Sequence, residues 1–133
     1  MDGPSGILET AVYAEDLDAA EVFYAGVLGL PVIAREAGRD LFLRCGAGVL
    51  LVFDPRRTAV AQPGQRVPPH GARGAGHVCF RADPQGLDSW RGRLREAGVD
   101  IETEVTWGNG ARSLYFRDPA GNSVEIAEPR LWD

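Results

Sequence analysis

"RDLFLRCGAG" (residues 39–48) and "RSLYFRDPAG" (residues 112–121) align without a gap. Five positions are identical: Arg39/Arg112, Leu41/Leu114, Arg44/Arg117, Ala47/Ala120 and Gly48/Gly121. Two more, Phe42/Tyr115 and Leu43/Phe116, exchange one bulky apolar side chain for another. A run of this kind points to an internal repeat, so the chain reads as two copies of one supersecondary unit. Carrying the same register forward sets Leu51 against Val124, Val52 against Glu125 and Phe53 against Ile126. In that register only the second copy places a carboxylate within its last strand.

Upstream of each copy lies a matching strand and helix. "ILETAVYAEDLDAAEVFYAGVLGL" begins as a strand and continues through an Asp18-x-x-Glu21 capping pattern. Apolar residues follow at Ala20, Phe23, Tyr24, Val27 and Leu28, and Gly29 stops the helix. "HVCFRADPQGLDSWRGRLREAGVDI" repeats the plan, with Asp83-Pro84 opening a helix whose apolar positions include Leu87, Trp90 and Leu94 and which Gly98 closes. The expected architecture is α+β: two tandem β-α-β-β-β modules, residues 6–54 and 75–128, within a single domain spanning 1–133. The segment 55–74 is rich in proline and glycine and lacks periodicity, which predicts a connecting loop along one edge.

Composition narrows the partners. In 133 residues, 14 basic side chains face 19 acidic ones, a net charge of −5, which argues against a nucleic-acid or anionic-membrane binder. No apolar stretch approaches membrane-spanning length, and the first residues lack a basic region followed by an apolar run. The expectation is a cytoplasmic protein with a small-molecule partner. Cys45 and Cys79 are too few for a disulfide framework and lack CxxC spacing, so they read as buried reduced thiols.

Strand parity sorts the side chains into two faces. Val78 and Phe80 oppose His77 and Cys79; Val124 and Ile126 oppose Ser123, Glu125 and Ala127; Leu8 and Val12 oppose Glu9, Ala11 and Tyr13. The aliphatic faces suit burial under helices. The other face carries small residues and one ionisable group per strand, Glu9, His77 and Glu125. Taken singly, each is most simply a solvated or structural residue. Two carboxylates with one imidazole together are a donor set for one divalent ion, Fe, Mn, Zn, Ni or Co.

"EDLDAAEVFYAGVLGL" and "FRDPAGNSVEI" resemble the two most recognisable motifs of the vicinal oxygen chelate superfamily. That superfamily includes glyoxalases, extradiol dioxygenases, fosfomycin-resistance transferases and bleomycin-binding proteins. The resemblance covers nearly the whole chain. It implies a U-shaped, cup-like mixed sheet with helices outside, and metal ligands drawn from the first strand of each module and a last strand: Glu9, His77 and Glu125. Glyoxalase I commonly adds a fourth ligand, whose equivalent in the ungapped register is Val52. Valine cannot ligate, so a standard four-ligand glyoxalase I is not expected. Extradiol dioxygenases and fosfomycin-resistance enzymes usually carry histidine where Glu9 stands.

The resemblance implies an enzyme whose metal chelates a small substrate through neighbouring oxygens, with lyase, isomerase, transferase and dioxygenase chemistry all open. Tyr115, Arg117 and the loop residue His70 are the candidate catalytic groups. Tyr13, Phe42, Val52 and Trp107 are the candidate cavity lining. The alternative is a non-catalytic protein that sequesters an aromatic or polycyclic molecule, as bleomycin-binding relatives do, with Trp107, Trp132, Phe42 and Tyr115 as stacking surfaces. A homodimer is expected on the same resemblance.

Overall fold

Each of the two modules folds as the repeat predicts. The structure is a computed structural model and describes residues 2–133. The chain divides into two compact units, residues 1–74 and 75–133. In the first, β1 (Glu9–Tyr13), α1 (Leu17–Glu21), β2 (Val32–Glu36), β3 (Asp40–Cys45) and β4 (Gly48–Phe53) give a four-stranded sheet of order β1-β4-β3-β2. In the second, β5 (His77–Arg81), α3 (Leu87–Glu96), β6 (Ile101–Thr106), β7 (Arg112–Arg117) and β8 (Ser123–Ala127) give the same order, β5-β8-β7-β6. In both sheets the first strand runs parallel to the last and the remaining pairs are antiparallel. A parallel pair needs a crossover, and the intervening helix and hairpin supply it.

The aliphatic strand face is the core, as parity predicts, except that Leu8, which precedes β1, is exposed. Leu43, Val52, Leu114, Phe116 and Val124 are fully enclosed, each contributing roughly 1.5–3 kcal/mol by leaving water. Helix α1 packs on β3 and β4 through Ala20, and α3 packs on β6, β7 and β8 through Leu87, Trp90 and Leu94. Trp90 satisfies its buried indole by donating to the Ala82 carbonyl at 3.0 Å. Beyond α1 the chain continues as a π-helical turn, Val22–Val27, in which the Leu28 amide reaches back to the Phe23 carbonyl at 3.0 Å. That wider turn sets Leu28 over Phe23, and both are buried together with Tyr24.

The helix starts differ from the sequence reading. Asp16, not Asp18, caps α1: its backbone is extended and its side chain accepts the Ala19 amide at 3.0 Å. Asp18 falls inside the first turn, where its charge meets the positive end of the helix. Helix α3 starts at Leu87 rather than at Asp83-Pro84, because Gly86 (φ 85°) turns the chain and serves as N-cap. The connecting loop also holds a short helix, α2 (Pro55–Thr58), capped by Asp54. From there the chain runs irregularly until the His70 amide donates to the Thr58 carbonyl at 3.0 Å.

The ungapped register slips by one residue at the last hairpin of each module. Between β3 and β4, Arg44 pairs with Val49; between β7 and β8, Arg117 pairs with Ser123, so the second turn holds one residue more. The extra residue is absorbed by "DPAGN", residues 118–122. Asp118 Oδ1 accepts the amides of Ala120 (3.0 Å) and Asn122 (2.8 Å), and Gly121 takes φ 90°. Asn122 Oδ1 then accepts the Gly76 amide at 2.8 Å, tying the turn to the start of β5. The counterpart of Glu125 is therefore Leu51, and Val52 is the counterpart of the core residue Ile126.

Candidate functional site

The polar residues of the second unit gather around Glu125. It sits mid-strand in β8, between Cys79 of β5 and Tyr115 of β7. Its carboxylate is on the face opposite the helix-covered core, yet the residue is only 5% exposed. A buried carboxylate needs partners. Ser113 Oγ donates to Oε2 at 2.6 Å, and Trp107 Nε1 donates to Ser113 Oγ at 2.9 Å. The other oxygen, Oε1, lies 3.3 Å from His77 Nε2.

His77 has its tautomer set from the far side of the ring. Nδ1 lies 3.0 Å from the Ser123 carbonyl oxygen, an atom that can only accept, so Nδ1 carries the proton. In the neutral ring Nε2 then presents a lone pair to a carboxylate oxygen. Two electron-rich atoms at that separation call for a cation between them, either a proton on Nε2 or a metal ion. A backbone carbonyl holding the distal N–H is also the usual support of a metal-bound histidine. Donors bound at about 2.0–2.2 Å and at right-angled to tetrahedral separation lie roughly 2.8–3.6 Å apart. The His77–Glu125 pair fits half of a divalent site in donor chemistry and spacing.

The third expected donor, Glu9, is exposed on β1 of the first unit. Among the described residues, no three histidine, cysteine or acidic side chains are grouped to hold a metal ion. His77 and Glu125 form a two-donor pair. Cys79 and Tyr115 flank it without joining it as anions. Loss of hydration, followed by the Glu125 charge, pushes the Cys79 thiol and the Tyr115 phenol each up to about 12. Tyr115 therefore offers a proton near neutral pH rather than taking one. Its ring stacks on His77 at 6.3 Å between centroids.

The other candidates are placed as follows. Arg117 is engaged by Glu102 (3.2 and 3.3 Å) and by the Gly121 carbonyl (3.1 Å). His70 is not a free loop residue: Nδ1 lies 2.8 Å from the Tyr13 hydroxyl, and its ring meets Phe53 edge to face at 4.5 Å. Tyr13, Phe42 and Phe53 share the Glu9 face of the first sheet, so that face is largely aromatic. Val52 is a correction. It is 0% exposed in the core, because it pairs with Leu41 and Val12 on the helix-covered face, off the face on which a cavity lining would have to sit. Trp107 is 38% exposed and bound to Ser113, and Trp132 is 90% exposed. Cys79 is exposed and Cys45 half-buried, both free, whereas the sequence reading buried both; Cys79 faces away from the helices by the same parity as His77.

Sequence reasoning passed over Ser113. Parity could have found it, since Ser113 lies two residues before Tyr115.

Two mixed four-stranded sheets of β-α-β-β-β connectivity, one presenting a histidine and a carboxylate from neighbouring strands, define a tandem-module α+β protein with a potential ligand-binding sheet face. The sequence profile of the Glyoxalase/Bleomycin resistance protein/Dioxygenase superfamily matches residues 6–126, and the chain belongs to that superfamily. It is similar to the crystal structure of a lactoylglutathione lyase from Agrobacterium tumefaciens, 46% identical, with a TM-score of 0.94 and 98% of each chain covered. A glyoxalase/dioxygenase from Nostoc punctiforme shares the fold at 22% identity and a TM-score of 0.67, over 92% of this chain and 90% of the other. The metallothiol transferase FosB of Shouchella clausii (strain KSM-K16) is 38% identical over 58 residues, 38% of this chain and 36% of the relative. The chain thus matches about a third of that relative's length. Among the described residues no helix is long and apolar enough to cross a membrane.

Proposed function

We propose that the protein is a metal-dependent enzyme of this superfamily. His77 and Glu125 supply the protein donors of one divalent ion to which a small substrate binds through neighbouring oxygens. The observation that carries the reading is the His77–Glu125 pair: a histidine with its Nδ1 proton committed to a backbone carbonyl turns its other nitrogen toward a buried carboxylate oxygen 3.3 Å away. When bound, the ion supplies Lewis-acid stabilisation of charge developing on a substrate oxygen. The chain's own contribution is orientation. Ser123 fixes the imidazole, Ser113 fixes the carboxylate, and the Tyr115 phenol, kept protonated by burial and by Glu125, can donate to a substrate oxygen. The likeness to a lactoylglutathione lyase across nearly the whole chain supports lactoylglutathione as the first substrate to assay. Leu51, the true counterpart of Glu125, offers no fourth ligand, which keeps the site distinct from a standard four-ligand glyoxalase I. A cytoplasmic homodimer belongs to the same reading.

The test is titration of chelator-treated protein with Zn, Ni, Co, Mn and Fe(II). Wild type should bind one ion per chain, with at least a hundredfold loss of affinity in His77→Ala and Glu125→Ala. A hydroxamate, which has neighbouring oxygens, should bind only the loaded protein. Equal metal uptake by all three proteins would overturn the reading.

The second reading rests on the aromatic face formed by Tyr13, Phe42, Phe53 and His70 in the first unit. There the protein sequesters a flat aromatic molecule without turnover. Binding of such a compound at full strength to metal-stripped protein, together with its loss in Phe53→Ala, selects this reading over the first.

A further inference from the structure

Glu125 has two oxygens and they are not equivalent. Oε2 accepts from Ser113 Oγ at 2.6 Å, while Oε1 points toward His77 Nε2. Ser113 is completely buried and has one hydroxyl proton to give. The indole nitrogen of Trp107 can only donate, so Ser113 Oγ must accept from it, and the serine proton is thereby committed to Glu125. The chain Trp107→Ser113→Glu125 runs in one direction only. Trp107 is held in place in turn, its amide donating to the Ala111 carbonyl and its own carbonyl accepting from Gly110, each at 2.8 Å.

We propose that Trp107 and Ser113 are positioning residues that hold Oε2 of Glu125 and leave Oε1 directed at His77 as the oxygen that would meet the ion. The inference rests on the metal reading above and deepens it: with Oε2 held by Ser113, Glu125 would offer the ion one oxygen rather than two. Neither residue touches the ion or the substrate. Both act through Glu125, and Trp107 serves as an internal reporter of its state. The counterpart of Ser113 in the first unit is Asp40, which spends an oxygen on the Glu36 amide at 3.0 Å and has Leu51, not a carboxylate, in the Glu125 place. The relay belongs to the second unit alone.

Ser113→Ala, Ser113→Thr and Trp107→Phe separate this role from general packing. In metal-free protein the Trp107 indole N–H resonance should shift in Ser113→Ala and exchange with solvent at least tenfold faster, while Ser113→Thr restores it. In loaded protein Ser113→Ala should weaken metal binding about tenfold, Trp107→Phe a few-fold, and Ser113→Thr little. Cobalt-loaded Ser113→Ala should lose visible absorption intensity as the freed Oε2 joins Oε1 on the ion. Wild type but not Trp107→Phe should lose much of its tryptophan emission on cobalt loading. An indole resonance indifferent to Ser113→Ala, or an unchanged cobalt spectrum in that variant, overturns the proposal. Absence of metal uptake by wild type would instead sink the metal reading, and the indole resonance would still decide whether the relay holds Glu125.

Discussion

The two units share a backbone plan and differ on one sheet face. Their cores correspond residue for residue: Leu41 with Leu114, Leu43 with Phe116, Leu50 with Val124, Val52 with Ile126, all 1% exposed or less. On the opposite face, Glu9, Ala11, Leu51, Phe42 and Phe53 of the first unit become His77, Cys79, Glu125, Tyr115 and Ala127 of the second. The ladder hydrogen bonds use only backbone atoms, so the sheet accepts either set. The core cannot change polarity in the same way, because a buried group without a partner costs several kcal/mol. Duplication therefore left the core fixed and the other face open to specialisation. One copy became aromatic and the other took on imidazole, carboxylate and hydroxyl groups.

The sharpest way to break the comparison is a carboxylate placed at the two neighbouring positions of β4. Val52→Glu would bury a charge among Leu41, Leu50 and Leu43 and should cost several kcal/mol, comparable to the stability of a small domain. Leu51→Glu, on the Glu9 face, should leave a cooperative thermal melt. The reverse outcome by calorimetry would show that the register is still misplaced.

Next in size is the pair Glu125→Ala and Leu51→Ala, at structurally equivalent places. The first should lower divalent-metal affinity at least a hundredfold, about 2.7 kcal/mol, and the second should leave it within a factor of two. Isothermal titration distinguishes them, and equal losses would mean that both units contribute ligands.

The last hairpin of each unit provides a smaller contrast. Gly121 stands at φ 90° and Gly46 at φ 55°, and a Cβ at either would meet no neighbouring atom within 4 Å. The effect of substitution is then conformational. Gly121→Val should destabilise by about 1–3 kcal/mol, since a β-branched residue resists positive φ. Gly46→Asn should cost less, because asparagine tolerates the left-handed region. Urea midpoints read both, and equal costs would show that the shorter turn is as demanding as the longer.

The mildest effect concerns acid. Asp54 and Glu128 occupy matching places after the last strand, and each carboxyl is held below its usual range, first by a hydrogen bond from Arg56 and Arg112 respectively. A lowered folded value means that the unfolded chain takes up the proton first as pH falls. The stabilisation is therefore present above the ordinary carboxylate range, about pH 4, and is lost below it. Asp54→Asn should keep the helix cap yet flatten the decline of Tm between neutral pH and pH 3. Asp54→Ala should lose the cap as well, about 1 kcal/mol. An unaltered pH slope in Asp54→Asn would remove the Arg56 interaction from the account.

Much of this molecule was legible in local pattern. The repeat "RDLFLRCGAG" and "RSLYFRDPAG", strand parity and glycine stops together determined two β-α-β-β-β modules, their core faces, and the unusual position of Glu125. Those signals are encoded within a few residues, where chain geometry ties sequence spacing to direction. The one-residue slip was hidden because identity ended at Gly48 and Gly121, and only the pairing of Arg117 with Ser123 exposes the added residue that makes Leu51, not Val52, the counterpart of Glu125. Asp16 rather than Asp18 became the cap because backbone angles, not residue type, choose among nearby carboxylates. The docking of His70 on Tyr13 and the Trp107–Ser113–Glu125 relay join residues of different strands and loops. Such contacts depend on how side chains meet once strands have paired, so tertiary structure decided them: a serine, a tryptophan and a histidine carry no mark in sequence of the partner that burial will give them.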